Sequence, residues 1–343
     1  MIFSNLLINW YLNNKRDLPW RNTTNPYLIW LSEIILQQTR VTQGLPYFIS
    51  FTTAFPTVFD LANASEEQVL KLWQGLGYYS RARNLHQTAQ FIANELHGIF
   101  PDTYTGLLEL KGIGEYTAAA IASFAYNETT AVVDGNVFRV LSRYFDLETD
   151  ISTSSAKKEF KNLAFELMPK NNPALFNQAI MEFGALQCVP KNPNCNECIF
   201  STSCIAFQKN KVKQLPIKSK KSIIRNRFFN YIVISDKQEN TLIQQRTADD
   251  IWKNLYEFPL IENQKEENFE TLLNQILDKF QNLSILEIRP SQPKHLIHKL
   301  SHQHLYIKFW NVKIDGILDN GIRKNNIKTF PFHIAIHNFI EAN

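Results

Sequence analysis

At 343 residues, with 44% hydrophobic and 13% aromatic content, the chain is long enough for two or three domains and too apolar for disorder. Its net charge of +4 and pI near 8.7 are mildly basic, too little to establish a polyanionic partner without knowing where the charge lies. No apolar run reaches membrane-spanning length, and the start, M-I-F-S-N-L-L-I-N-W-Y-L-N-N-K-R, lacks the basic opening and small-residue cleavage site of a signal peptide; a cytoplasmic protein with no membrane association is expected.

The first block, R-D-L-P-W-R (16–21), leads to Asn25-Pro26, a cap residue followed by proline at the first helical position. The helix that follows is apolar nearly all round, with Leu28, Ile29, Trp30, Leu31, Ile34, Ile35 and Leu36, which is the pattern of a buried helix. Glu33 sits inside that run. It either escapes at the helix rim or is a carboxyl in a low-dielectric pocket, whose pKa desolvation would raise until it could serve as a general acid near neutral pH. Helical patterns continue at 45–51, 69–72 and 82–96. Between the last two, Gly75-Leu76-Gly77-Tyr78-Tyr79-Ser80-Arg81 is an aromatic and basic loop that suits either corner packing or base stacking with phosphate pairing.

From Thr105 to Arg139 the chain reads T-G-L-L-E-L-K-G-I-G-E-Y-T-A-A-A-I-A-S-F-A-Y and then A-V-V-D-G-N-V-F-R-V. Gly112 and Gly114 suit a tight turn between two helices, and the bare amides opening an Ala-rich helix make an anion site. Asp134 follows Ala131-Val132-Val133 and precedes a new helical pattern, Val137, Val140, Leu141 and Tyr144. It is placed to cap that helix, and a carboxylate accepting backbone N–H bonds there is expected to keep a low pKa and stay ionised.

Residues 155–186 are helical in pattern, with Asn172-Pro173 as a second cap-plus-proline start. The four cysteines, Cys188, Cys195, Cys198 and Cys204, then cluster as C-x6-C-x2-C-x5-C. Such clustering in a reducing compartment points to a metal centre, zinc or an iron–sulfur cluster. A single C-x2-C with longer arms favours the cluster, whose expected job is structural, bracing the basic loop (191–209) against a polyanion, with a redox role as the alternative. Residues 208–227 carry Lys209, Lys211, Lys213, Lys218, Lys220, Lys221, Arg225 and Arg227, with no Asp or Glu between Glu197 and Asp236. The run reads as a solvated linker that can lie along a phosphate backbone. Beyond it, 228–235, 241–246 and 305–314 look like strands, 236–240 like a hairpin loop, 269–280 like an amphipathic helix and 333–340 like a last helix: a smaller α+β domain.

Eight segments together resemble the helix–hairpin–helix DNA glycosylases, and within them the MutY family of adenine DNA glycosylases. They are L-P-W-R (18–21), W-L-S-E-I-I-L-Q-Q-T (30–39), F-P-T-V-F-D-L-A-N-A (55–64), L-W-Q-G-L-G-Y-Y-S-R-A-R-N-L (72–85), L-K-G-I-G-E-Y-T-A (110–118), V-D-G-N-V-F-R-V-L (133–141), F-N-Q-A-I-M-E-F-G-A (176–185) and the cysteine spacing. The resemblance runs from about Trp10 to Cys204 and is weaker beyond.

The resemblance implies a mainly α catalytic region with the helix–hairpin–helix glycosylase fold and an iron–sulfur cluster loop, plus a C-terminal α+β Nudix-like domain. The boundaries it suggests are 1–208 for the catalytic region, with the helix–hairpin–helix at 105–125 and the cluster loop at 188–204, then 209–222 for a basic linker and 223–343 for the Nudix-like domain. It implies one [4Fe-4S] cluster on Cys188, Cys195, Cys198 and Cys204, and a monomer acting on double-stranded DNA with A:8-oxoguanine or A:G mispairs. Glu33 falls where the family keeps its acid/base, Asp134 where it keeps the carboxylate that steadies the sugar cation, and Tyr116 where it has Ser or Tyr beside the active site. Arg21, Leu36 and Gln178 correspond to residues around the flipped adenine, and Gln38 and Tyr78 to residues that probe or wedge the lesion strand. Ser301 and His302 belong to a Phe-Ser-His motif whose first residue here is Leu300.

The chemistry agrees with those roles. Adenine leaves poorly as an anion, so cleaving its bond to deoxyribose needs a proton on the ring, while the sugar gathers positive charge. The base must first leave the stack. Related endonuclease III enzymes, which are glycosylase/lyases, carry a nucleophilic Lys where this chain has Tyr116, so a monofunctional glycosylase is expected. Residues 261–280 lack the R-E-x-x-E-E pattern with which a Nudix hydrolase holds magnesium, so that domain is expected to bind and not hydrolyse.

Overall fold

A buried all-round apolar helix and a cap-forming Asp build the centre of the first of two compact units. The computed structural model describes residues 2–219 and 224–343. One unit comprises Met1–Asn63 with Asn84–Lys220, the other Ala64–Arg83 with Lys221–Asn343. Lys220 and Lys221 of the expected linker lie outside the described residues.

The helices in chain order are α1 (Ile2–Asn14), α2 (Pro26–Leu36), α3 (Val41–Ala54), α4 (Val58–Asn63), α5 (Glu66–Leu72), α6 (Ser80–Asn94), α7 (Tyr104–Leu108), α8 (Glu115–Tyr126), α9 (Gly135–Phe145), α10 (Ser154–Leu167), α11 (Pro173–Leu186) and α12 (Ile205–Gln208), followed in the second unit by α13 (Phe269–Lys279) and α14 (Ile334–Ala342). α2 starts where Asn25 Oδ1 accepts the Tyr27 N–H at 2.9 Å, with Pro26 supplying a first turn that needs no donor. Every residue from Ile29 to Ile35 is buried. Its neighbour α8 carries Ala118, Ala119, Ala120 and Ala122, all buried, small enough for two helix backbones to approach closely. A larger core forms among α1, α9, α10 and α11 from Phe3, Leu7, Val140, Phe160, Phe176 and Phe183.

Between α7 and α8 the hairpin turns at Gly112, whose φ of +77° and 2.7 Å approach of a notional Cβ to Asn84 Cβ both require glycine. Gly114 caps α8 in an extended conformation with open space where a side chain would be. The buried Asn177 secures the approach to Asp134. Its amide donates to Ser123 Oγ (2.9 Å) and the Thr130 carbonyl (2.8 Å) and accepts from Val132 N (3.1 Å).

The second unit holds the strands β1 (Arg225–Ser235), β2 (Asn240–Thr241), β3 (Gln244–Gln245), β4 (Tyr256–Glu257), β5 (Leu260–Asn263), β6 (Ile285–Pro290), β7 (Leu296–Lys299), β8 (Gln303–Ile314) and β9 (Ile322–Arg323). The main sheet runs β5-β1-β8-β6, with β7 also on β8, and β1 and β8 pair in parallel. Two expectations change here. The 236–240 loop does not join a hairpin pair: β2 pairs with β9, and β1 with β5 and β8. The predicted strand at 241–246 breaks into the ends of β2 and β3.

The basic run is also less free than expected. Lys209 and Lys211 reach Asp146 Oδ2 at 2.9 and 3.1 Å, and Lys211 reaches Glu148 Oε1 at 2.5 Å. Arg227 is buried inside the sheet, held by Asp250 (2.6 Å) and Glu262 (2.7 Å).

Candidate active site

Two adjoining cavities of about 500 and 620 Å³ share Glu33, Leu36, Tyr116 and Asp134 in their walls. α2 delivers Glu33 and Leu36, the first turn of α8 delivers Tyr116, and the residue before α9 delivers Asp134. The smaller cavity is completed by Arg21, Gln178, Met181 and Glu182, the larger by Gln38, Gly114, Lys157 and Lys161. The structure therefore brings together Glu33, Asp134, Tyr116, Arg21, Leu36, Gln178, Gln38 and Gly114. Gly112 lies two residues before Gly114 in the hairpin.

Glu33 is 7% exposed. Burial pushes its carboxyl up to about 7, against a hydrogen bond from the Tyr116 hydroxyl that favours the anion; the Asp134 charge pushes it further up and Arg21 pulls it down. Asp134 caps α9: Oδ1 accepts Asn136 N and Val137 N, each at 2.8 Å, and Oδ2 accepts Asn136 Nδ2 at 2.7 Å. The expected low pKa is corrected. Burial raises it from the ordinary Asp value, with the Val137 and Asn136 donors and the Arg139 charge working against that rise. The division of labour nonetheless follows from the donors. Three hydrogen bonds reach the Asp134 carboxylate, whereas Glu33 takes one from a neutral hydroxyl, so the first proton to bind goes to Glu33. Burial, with Glu33 and Asp134 nearby, drives the Tyr116 phenol well above its usual range. It remains a neutral donor.

Several supporting residues carry no motif of their own. Arg16 and Arg21 both fork onto the buried Glu182, at 2.6 to 2.8 Å for the side-chain contacts. Burial alone would raise Glu182, but the two guanidinium groups hold it down at about 2. Arg21 thereby lies 5.7 Å over the Tyr11 ring, and the Tyr11 hydroxyl donates to Gln178 Oε1 at 2.5 Å. Arg139 donates to Asn136 Oδ1 (2.8 Å) and the Gly184 carbonyl (2.6 Å), fixing the amide that holds Asp134. Gly184 allows this approach, since a Cβ there would sit 2.6 Å from Asn136 Cβ and 3.0 Å from its carbonyl oxygen. Apart from the Arg139–Asn136 contact, the hydrogen-bonded pairings span forty-five residues or more in the chain, which no local pattern reports.

Gln38 is exposed at φ +56°, directly after α2, and Tyr78 is 48% exposed at φ +49° in the second unit. Both are non-glycine residues in the left-handed region, a conformation that costs roughly 1 kcal/mol or more. Ser301 and His302 form the exposed turn between β7 and β8, closed by Leu300 N donating to the Gln303 carbonyl at 2.8 Å.

The cofactor expectation is corrected. Cys188, Cys195, Cys198 and Cys204 do line one cavity, but its volume is about 30 Å³, and among the described residues no group of three or more His, Cys, Asp or Glu side chains could hold a metal ion. Arg143 Nη1 donates to Cys188 Sγ and Cys204 Sγ donates to the Arg143 carbonyl, both at 3.4 Å. Burial raises the Cys195 and Cys204 thiols, and pushes the Cys198 thiol up to about 11. Arg143 also binds the carbonyls of Val189, Pro190 and Leu215. Hydrogen bonding and the Phe200 ring packing hold this loop.

Among the described residues no helix is long and apolar enough to cross a membrane. Residues 31–165 match the HhH-GPD superfamily of base excision DNA repair proteins, and residues 230–342 match the NUDIX domain family. An adenine DNA glycosylase of Buchnera aphidicola (subsp. Schizaphis graminum) is 36% identical over 89% of this chain and 86% of its own. The Homo sapiens adenine DNA glycosylase is 42% identical over 62% of this chain and 41% of its own. Among solved structures, a thermostable thymine-DNA glycosylase superposes with a TM-score of 0.56 at 29% identity, covering 61% of this chain and 96% of its own. With these likenesses and the paired carboxylates at the mouth of a helix–hairpin–helix, the chain belongs to the adenine DNA glycosylase family of the HhH-GPD superfamily.

Proposed function

We propose that this protein removes adenine mispaired with 8-oxoguanine or guanine from duplex DNA by hydrolysing the N-glycosidic bond, and that it does so as a monomer without a Schiff-base lysine. The observation that carries this reading is the shared wall of the two cavities, where Glu33 titrates near neutrality beside a triply hydrogen-bonded Asp134. The extruded adenine enters the cavity lined by Arg21, Leu36 and Gln178. Protonated Glu33 gives its proton to the ring, so the base departs neutral. The deoxyribose gains positive charge, which Asp134 stabilises at short range. Glu33, now a carboxylate, takes a proton from the water that attacks the sugar, leaving an abasic site and a restored acid.

Gln38 and Tyr78 enter the stack to make extrusion affordable, the amides at Gly112 and Gly114 grip a phosphate, and Ser301 and His302 read the opposite base from the C-terminal domain. The helix of that domain, F-E-T-L-L-N-Q-I-L-D-K, lacks a magnesium-holding carboxylate pattern, which supports binding without hydrolysis. A glycosylase/lyase of the endonuclease III kind is disfavoured by Tyr116, whose phenol has no amine with which to form a Schiff base.

The test is a duplex carrying adenine opposite 8-oxoguanine. Free adenine should accumulate, with strand breaks visible only after hot alkali. Breaks without alkali, with borohydride trapping the protein on DNA, would overturn the monofunctional assignment.

A further inference from the structure

The loop that presents Tyr78 lies in the N-terminal half of the sequence, yet in the fold it is built into the C-terminal unit. A capping box of Ser65 and Gln68 opens α5. After α5 the chain turns through Gly75 (φ +103°) and Gly77 (φ +72°) to Tyr78. Trp73 Nε1 donates to the Gly77 carbonyl at 3.0 Å, and Arg81 lies 4.9 Å over the Trp73 ring and 5.9 Å over that of Tyr78. These local contacts shape the turn. What fixes it in place comes from more than 160 residues away.

One clamp is the 3-10 helix Lys324–Thr329 with the extended residues that lead from it to α14. Lys71 Nζ donates to the carbonyls of Lys328 (2.5 Å) and Phe330 (3.1 Å) and to Gln74 Oε1 (3.2 Å). Gln74 Oε1 also accepts Phe332 N at 3.4 Å, and the buried Tyr79 hydroxyl donates to the Phe332 carbonyl at 3.3 Å. A second clamp is the loop before β4. Asn254 Nδ2 donates to Glu66 Oε1 (2.5 Å), the Tyr256 hydroxyl to Glu67 Oε2 (3.3 Å), and Arg83 Nη1 to the Lys253 carbonyl (3.0 Å). The two clamps are joined, because Tyr256 N donates to the Pro331 carbonyl at 2.9 Å.

We infer that Lys71 and Gln74 are positioning residues for lesion discrimination: they carry Tyr78 on the same body as Ser301 and His302, so that both lesion-strand contacts move as one. This rests on the reading of Tyr78 as a wedge given above. Lys71 and Gln74 touch no DNA in this scheme and act only by holding the backbone on which a left-handed, exposed tyrosine is displayed. A ligand-reading element that is held in its strained bound conformation loses less freedom on engagement.

The experiment compares wild type, Lys71→Met, Gln74→Ala and Asn254→Ala, the last loosening the second clamp. Single-turnover adenine release is measured on A:8-oxoguanine and A:G duplexes, each variant also being combined with Tyr78→Ala. The preference for A:8-oxoguanine should fall about fivefold in each single variant, the rate on A:8-oxoguanine dropping more than the rate on A:G, and Gln74→Glu, which keeps the acceptor, should restore much of it. In the Tyr78→Ala background the clamp substitutions should have no further effect on the preference. Additive losses there, or an unchanged preference in every folded single variant, would overturn the inference. A wild-type enzyme with no adenine release from either duplex would instead sink the glycosylase reading itself.

Discussion

Replacing Glu33 with Gln should abolish base excision and at the same time stabilise the protein above neutral pH. In the folded chain the carboxyl titrates at about 7, against an ordinary 4.5. The folded state thus binds this proton more tightly than the unfolded state does. The stability contributed is full below the ordinary pKa and is lost as pH rises from about 4.5 through about 7. A separation of that size corresponds to about 3 kcal/mol once both states are ionised. Gln is shaped like the protonated acid and never ionises, and it can still accept from Tyr116. Urea unfolding of wild type and Glu33→Gln should therefore show a variant advantage that widens by about 2 kcal/mol between about pH 5.5 and about pH 8.5. An advantage independent of pH, or a variant less stable at the alkaline end, would refute a desolvated acid at this position.

Asp134→Asn should bind mispaired duplex nearly as well as wild type while slowing adenine release by about 10²- to 10³-fold, since it removes charge that matters only when the sugar is cationic; filter binding beside single-turnover assays checks this. Gly184→Ala forces a Cβ to within 2.6 Å of Asn136, so it should cost about 1–3 kcal/mol of stability and lower the excision rate by disturbing the Asp134 cradle. Removing one partner of a buried pair is expensive, and Glu182→Ala should destabilise by about 3–5 kcal/mol, measurable by denaturant titration. Wild type should also lose stability as pH falls from the ordinary 4.5 towards about 2, because the Glu182 carboxylate is held down by Arg16 and Arg21. That acid-side loss should be missing in Glu182→Ala.

What could be read in advance followed from local chemistry. Asn25-Pro26 and an unbroken apolar run marked α2 as buried, but whether the carboxyl inside that run escaped at the helix rim or was desolvated depended on what packs over it. Asp134, between an apolar segment and a helical pattern, was legible as a cap. The direction of its pKa was not, because burial depends on what covers the carboxylate, and the α11 side of the site lies more than forty residues on. Glu182 and its two arginines escaped for the same reason: the partners are 161 and 166 residues apart. The basic run looked free because its acids, Asp146 and Glu148, sit on the far side of α10 and α11 in sequence. The cysteine spacing suggested a cluster, but thiol clustering alone does not set ionisation or ligand geometry. In the C-terminal unit, β1 and β8 were visible as apolar runs, whereas their parallel pairing and the short strands around them depend on long-range contacts.

The central claim is that Glu33 is protonated when the substrate is bound near neutral pH and gives up its proton in the excision step. The single-turnover rate constant for adenine release from saturated A:8-oxoguanine duplex, measured across pH, tests it most directly. The account predicts a plateau on the acid side and a fall, tenfold per pH unit in the limit, above about 7. A rate that stays flat or climbs well into the alkaline range would contradict it.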